Sequence, residues 1–211
     1  QLLVMPSYKL YYFDARAVGE VVRQIFAVAG VEYEDVRIPK DKWLSEYKPK
    51  FPFGQVPILE VDGKFIPQST AIARYLAKQF GLAGKDDFDA AWVDAIADQF
   101  KDYYAEFSRW YYVHFGFLEG DKETTKKEFG EPARDKFYPL LVGQLKKSNS
   151  GFLVGNSLSF IDLLIAEHVA TLRELFQGFL DEYPEVLAHS EKIRSIPAVK
   201  AWIEKRPKND M

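Results

Sequence analysis

Along the first third of the chain, apolar and polar positions alternate over short runs and are broken by one helical stretch. YKLYYF (8–13) has the period of a strand. RAVGEVVRQIFAVAG (16–30) carries its apolar residues at helical spacing and stops at Gly30, a helix-ending glycine. YEDVRI (33–38) predicts a second strand. PILEV and KFIPQ flank Asp62-Gly63, a hairpin turn signal. STAIARYLAKQFG predicts a helix over 69–81, with Ser69 as N-cap and Gly81 as its end. The order is strand, helix, strand, hairpin, helix.

Beyond residue 81 the period becomes that of helices. GLAGKDDFD (81–89), rich in glycine and charge, reads as a linker. A long periodic helix is predicted over 90–118. KKSNSGFLVGNS (146–157) is a polar loop. Ser159 and Asp162 then stand at capping-box spacing, with Asp in the usual place of Glu, and Leu158 and Leu163 form the accompanying staple. IPAVKAWIEKRP predicts a last short helix. No internal repeat or low-complexity tract is present. The pattern therefore divides the chain into an α/β module over 6–82, a linker over 83–88 and an all-helical module over 89–211.

Composition narrows the chemistry. The 211 residues carry 28 basic and 31 acidic side chains, well mixed, with a net charge of -3. No basic block suited to a phosphate backbone exists, so nucleic acid is not an expected partner. No run reaches the ~18 apolar residues that span a bilayer. The N-terminus lacks the basic region of an intact signal peptide. Met5 reads as a natural start, with Gln1–Val4 as an extension. A cytoplasmic location is expected, with export left open. Cysteine is absent, which removes disulfides, Cys-based zinc sites and a protein thiol nucleophile. Any thiol chemistry must use a thiol that a ligand brings.

Three stretches can bind a small anionic or peptidic ligand. In FPFGQVPILEVDG (51–63), Pro57 stands at the start of a strand, where proline cannot donate to a ladder. It suits a tight turn with a cis bond, leaving Val56 free to pair with an extended peptide; a simple loop end reads the same way. In PQST (67–70), free N–H groups at a helix start, the Ser69 and Thr70 hydroxyls and the Gln68 amide make a carboxylate pocket; a bare N-cap has the same sequence. Tyr11 and Tyr12 end the first strand, where ligands of open α/β sheets gather, and periodicity does not tell which points out.

The helical module adds less. Asp94, Asp98, Asp102 and Glu106 recur every four residues as one acidic stripe, with Asp94 and Glu106 read as a solvated face. Lys101 beside Asp98 and Asp102 argues against a metal, and no metal is predicted. Tyr104, Ser108 and Tyr111 are candidates for the wall of an apolar ligand site within a stretch that is otherwise core. His114, His168 and His189 match no metal spacing and read as structural or surface residues.

The set YKLYYFDARAVGE, YEDVRI, FPFGQVPILEVDG, QSTAIARYLAK, VDAIADQFKDY, GNSLSFIDLLIAEH and IPAVKAWIEKRP, in this order over almost the full chain, resembles the cytosolic glutathione transferases. The likeness is greatest to the sigma class, including nematode members and glutathione-dependent prostaglandin D synthases. The resemblance implies a thioredoxin-like N-terminal domain and an all-helical C-terminal domain. It implies glutathione as co-substrate, a homodimer, and conjugation of hydrophobic electrophiles in detoxification.

The resemblance also assigns roles. Tyr12 is the expected catalytic tyrosine, whose hydroxyl donates to the glutathione sulfur, and Pro57 the cis-proline. Val56 is expected on the cysteinyl backbone, with Gln55 beside the tripeptide. Gln68 and Ser69 take the γ-glutamyl carboxylate, Trp43 and Lys48 the glycine end. Asp102 reaches the γ-glutamyl amine in the partner subunit. Arg16 is expected to orient Tyr12 or support the thiolate, and Phe13 to join the electrophile site. Vertebrate prostaglandin synthases have arginine where this chain has Val18, so no arginine role carries over there. Zero cysteine argues against the Cys-type transferases. Prostaglandin H to D isomerisation, and binding of haem or fatty-acid-like ligands with weak turnover, stand as alternatives.

Overall fold

The computed structural model describes residues 6–208. The proposed start at Met5 and the last three residues of the second module lie outside them. Four strands form one mixed sheet in the order β2-β1-β3-β4: β1 (Tyr8–Phe13), β2 (Glu34–Ile38), β3 (Ile58–Val61) and β4 (Lys64–Pro67). β1 runs parallel to β2 and antiparallel to β3, and β3–β4 is the hairpin around Asp62-Gly63.

Alternation along β1 sorts its side chains onto two faces. Tyr8, Leu10 and Tyr12 are buried, and Tyr8 and Leu10 join the main core with Val21, Ile25 and Phe26 of α1 (Glu20–Ala29) and Ile72 and Leu76 of α3 (Ser69–Phe80). Tyr11 and Phe13 face a second cluster built on Ile38, Phe51 and Ile58. The short helical turn that follows α2 (Lys40–Lys42) packs Trp43 and Tyr47 against that cluster.

The second module comprises α4 (Asp87–His114), α5 (Lys122–Thr125), α6 (Glu131–Ser148), α7 (Phe160–Leu175), α8 (Pro184–Arg194) and α9 (Pro197–Lys205). One apolar core crosses between the modules, because Ile72, Leu76 and Leu82 share it with Val93 of α4 and Ile161 of α7. Polar ties cross it too: the Phe160 N–H donates to the Leu82 carbonyl at 2.9 Å, and Arg74 Nε donates to Asp94 at 2.7 Å. α7 starts on the expected capping box. Asp162 accepts from the Ser159 N–H at 2.9 Å and its hydroxyl at 2.7 Å, and also from the Leu153 N–H at 2.8 Å. His189 Nε2 lies 2.9 Å from the same carboxylate, so this one side chain ties the 146–157 loop, α7 and α8 together. Leu158 and Leu163 both pack on the core, as a staple requires.

Four boundaries differ from the sequence pattern. The first helix starts at Glu20 rather than 16, behind a 3-10 turn over Ala17–Gly19. Ala17 there has φ 32, outside the helical range. α4 starts at Asp87 rather than 90, because Asp86 caps it by accepting from the Asp89 N–H, and it ends at His114 rather than 118. At α3, Gln68 is the N-cap and Ser69 the first helical residue, so Ser69 does not serve as the cap. No helix among the described residues is long and apolar enough to cross a membrane.

Candidate active site

The two neighbouring tyrosines of β1 are separated by the pleat. Tyr11 is half-buried on the outer face, and its hydroxyl donates to Glu60 at 2.8 Å. Tyr12 is 7% exposed on the inner face. Its ring is gripped from two sides. A Cβ on Gly19 would stand 2.4 Å from Tyr12 Cδ1, and the Arg23 guanidinium lies 5.8 Å from the ring centroid. Burial pushes the Tyr12 pKa up to about 12, while the nearby Arg23 charge and a hydrogen bond from the Val18 backbone pull against it. Tyr12 therefore keeps its proton throughout the physiological range and can act as a donor.

A polar edge lies close by in the fold. The Val56-Pro57 bond is cis. Pairing between β1 and β3 starts at Ile58, so Val56 lies just outside the paired residues. Gln68 Nε2 donates to Gln55 Oε1 at 3.1 Å, joining the loop before β3 to the start of α3. Gln68 holds φ 75, an uncommon conformation for a side-chain-bearing residue. Behind it the first N–H groups of the twelve-residue α3 are free of intrahelical partners, and the Ser69 and Thr70 hydroxyls flank them. Such a terminus suits a carboxylate. Trp43 stands edge-on to Phe13 at 5.4 Å, and the Lys48 stem runs beside Gly54.

Between the modules is a cavity of about 290 Å³. Gln68, Ser69 and Thr70 line it on one side, with Val18 from the turn before α1. Tyr104 and Tyr111 of α4 and Leu172 of α7 supply much of the apolar wall. Tyr104 and Tyr111 thus lie where an electrophile wall was expected. Ser108 and Phe13 are not among the lining residues. Ser108 turns its hydroxyl back to the Ala105 carbonyl at 3.2 Å, and the pleat of β1 sends Phe13 to the face opposite Tyr12. His168, read from sequence as structural or surface, does line the cavity. Its Nε2 is 2.9 Å from the Tyr103 hydroxyl, and burial lowers its pKa to about 3, so it is neutral.

Arg16 is buried, and its bonds run to α7: Nη2 to Glu174 at 2.6 Å, with Nη1 3.5 Å from Glu167. Along α4, Asp94 and Asp98 both pair with Arg74, at 2.7 and 3.7 Å, and Glu106 pairs with Lys136 at 2.9 Å. The acidic stripe is therefore more than a solvated face. Asp102 is exposed, and no ion pair to it is found among the described residues. Sequence reasoning passed over Gly19 and Arg23, and at Val18 it noted only that no arginine role carries over, not that the residue lines the cavity. Of these only Gly19 left a signal, as a glycine inside an apolar helical run.

The N-terminal domain of glutathione S-transferase matches residues 8–78, and the C-terminal domain of the same family matches 101–206. The chain belongs to the glutathione S-transferase family. It is 52% identical over 204 residues to "Probable glutathione S-transferase 5" of Caenorhabditis elegans, covering 96% of this chain and 98% of that protein. A solved structure of monomeric Na-GST-3, a glutathione S-transferase of the hookworm Necator americanus, is 50% identical with TM-score 0.93, covering 97% of this chain and all of that one. A structure of prostaglandin synthase D of Nilaparvata lugens is 35% identical with TM-score 0.85, covering 97% of this chain and all of that one. This transferase uses glutathione as its co-substrate, and its sheet and helical half are the thioredoxin-like and all-α domains of the family.

Proposed function

We propose that this glutathione S-transferase is of the sigma type and conjugates glutathione to hydrophobic electrophiles, with the Tyr12 hydroxyl donating to the thiolate. The observation that carries this reading is the buried, neutral Tyr12 hydroxyl set against Val18, a residue of the apolar cavity. A free thiol has a pKa near ~8.5, and a hydrogen bond to the charged form lowers it. In this reading Val56 pairs with the cysteinyl backbone. The start of α3, with Gln68 and Ser69, takes the γ-glutamyl carboxylate beside Gln55. Trp43 and Lys48 hold the glycine end. Tyr104 and Tyr111 border the electrophile. A panel of apolar electrophiles and prostaglandin H, each assayed with and without glutathione, tests it. Glutathione-dependent consumption of electrophiles is expected; a panel with no glutathione-dependent turnover overturns the reading. The 35% identity to a prostaglandin synthase favours isomerisation of prostaglandin H as the second reading. Haem or a fatty-acid-like ligand also suits an apolar cavity of this kind.

A homodimer with Asp102 reaching the partner's glutathione belongs to the same proposal. Supporting self-association, Phe53 is 74% exposed, and an apolar groove of about 440 Å³ lies between α4 and α6, lined in part by Trp92 and Leu140. A carboxylate on the tripeptide's ammonium is a charge-assisted contact, so Asp102→Ala is expected to weaken glutathione binding about ten- to a hundredfold. Mixing subunits gives the sharper test. Pairing an Asp102→Ala chain with a Tyr12→Phe chain leaves one of the dimer's two sites whole if Asp102 acts in trans, so about half the wild-type activity is expected. Activity far below that, or a monomer by light scattering, overturns the shared site.

A further inference from the structure

A buried ionic cluster ties the C-terminal helix to the turn that follows Tyr12. It starts at Arg23, which is 0% exposed. Its Nη1 donates to the Ala15 carbonyl at 2.6 Å and its Nη2 to the Phe13 carbonyl at 3.3 Å, so it grips the backbone directly after Tyr12 while its guanidinium faces the Tyr12 ring. Arg23 is in turn held by Glu20, at 3.4 Å. The other oxygen of Glu20 accepts from Trp202 Nε1 and from Arg206 Nη1, both at 2.7 Å. Arg206 Nη1 also donates to Glu167 at 2.9 Å, and the same Glu167 oxygen lies 3.5 Å from Arg16 Nη1.

One guanidinium at the end of α9 therefore stands between two buried carboxylates. Each carboxylate holds one arginine in or beside the 13–19 segment: Glu20 holds Arg23, which grips that segment from α1, and Glu167 holds Arg16, which lies within it. Without the Arg206 charge, Glu20 and Glu167 repel each other in a dry setting. Glu20 then draws more on Arg23, which Asp35 also holds at 3.1 Å, and Glu167 draws more on Arg16, while its other oxygen stays with Arg194 at 2.7 Å and Gln24 at 2.9 Å. Both pulls act on the segment beside Tyr12. Buried charges that lose a partner in this way are strongly destabilised, so their remaining partners shift.

We propose that α9 is a latch for the active-site tyrosine, with Arg206 and Trp202 as positioning residues that hold the 13–19 segment through Glu20 and Glu167. The link to turnover rests on the reading of Tyr12 given above, whereas the latch itself does not. The experiment uses the full chain and two readouts. In Arg206→Gln, backbone hydrogen exchange is expected to quicken at residues 13–19 more than in the sheet or in α6. The bound glutathione thiol pKa is expected to rise, and kcat/KM to fall about tenfold or more with KM for glutathione little changed. Arg206→Lys, which keeps the charge, should recover part of both effects, and Arg173→Gln, which breaks only the exposed Arg173–Glu191 pair, should show neither. Should Arg206→Gln fail to fold, Trp202→Phe removes one bond to Glu20 and keeps the aromatic bulk, and the same local exchange is expected. Unchanged exchange at 13–19, or a rise spread evenly over the chain, overturns the latch. Local quickening in a protein whose wild type forms no bound thiolate upholds the latch and overturns the tyrosine reading instead.

Discussion

Tyr12→Phe is expected to lower turnover by about ten- to a hundredfold while glutathione still binds. The substitution removes one oxygen and leaves the ring, so packing against Gly19 and Arg23 is kept. What is lost is a hydrogen bond to a charged sulfur, worth about 1.5–3 kcal/mol. At about 1.4 kcal/mol per unit, the bound thiol's pKa rises by about one to two units. Less thiolate is then present at neutral pH. Tyr12 is suited to this role because burial holds its own pKa near 12, so its proton is not given up to solvent. Titrating the thiolate absorbance of bound glutathione in wild type and variant measures the shift directly. Tyr11→Phe serves as the companion, since the Tyr11 hydroxyl is engaged with Glu60 on the other face of the sheet. A thiol pKa that does not move in Tyr12→Phe, or moves as much in Tyr11→Phe, excludes the assignment.

Gly19→Ala should have an effect of similar size by a different route. The Gly19 backbone, at φ -81 and ψ -22, is open to any residue, so no backbone strain is introduced. The methyl group itself is the problem. It would stand 2.4, 2.7 and 3.0 Å from three carbons of the Tyr12 ring, closer than carbon atoms approach. Either the ring moves or the first turn of α1 draws back. Overpacking of this kind costs about 1–3 kcal/mol of stability. A catalytic group displaced by about 1 Å can lose about a hundredfold in rate. Turnover and thiol pKa are therefore expected to change together, and by more than the loss of melting temperature explains. Gly143→Ala is the matched control, because an added Cβ there meets nothing within 4 Å; Gly143 lines the groove between α4 and α6, so the variant's oligomeric state is compared with wild type. If Gly19→Ala keeps wild-type turnover, the ring contact does not position the tyrosine.

Much of the fold was legible because its cues are local. The hairpin around Asp62-Gly63, the helix end at Gly81 and the capping box of Ser159 and Asp162 each depend on a few neighbouring residues. The missed boundaries are also local in origin. Asp86 caps α4 earlier than the apolar period suggested, and the turn over Ala17–Gly19 delays α1 to make room for Tyr12. Around the cavity, the cis bond at Pro57 and the wall formed by Tyr104 and Tyr111 could be read in the sequence, since each depends on its own element and the face it presents.

By itself, then, the sequence determined the order and kind of the elements, the division into an α/β and a helical half, and the absence of a protein thiol, which leaves sulfur chemistry to glutathione. The tertiary structure decided which of two adjacent tyrosines faces inward, that Phe13 and Ser108 stand away from the cavity, and that His168 joins it. It also decided that Arg16 spends its charge on Glu174, 158 residues away, and that Trp202 and Arg206 reach Glu20 across 182 and 186 residues. Periodicity and capping act over one or two turns of chain. The partners of a buried charge are chosen by which helices the core brings side by side, and that choice is made only when the two halves pack.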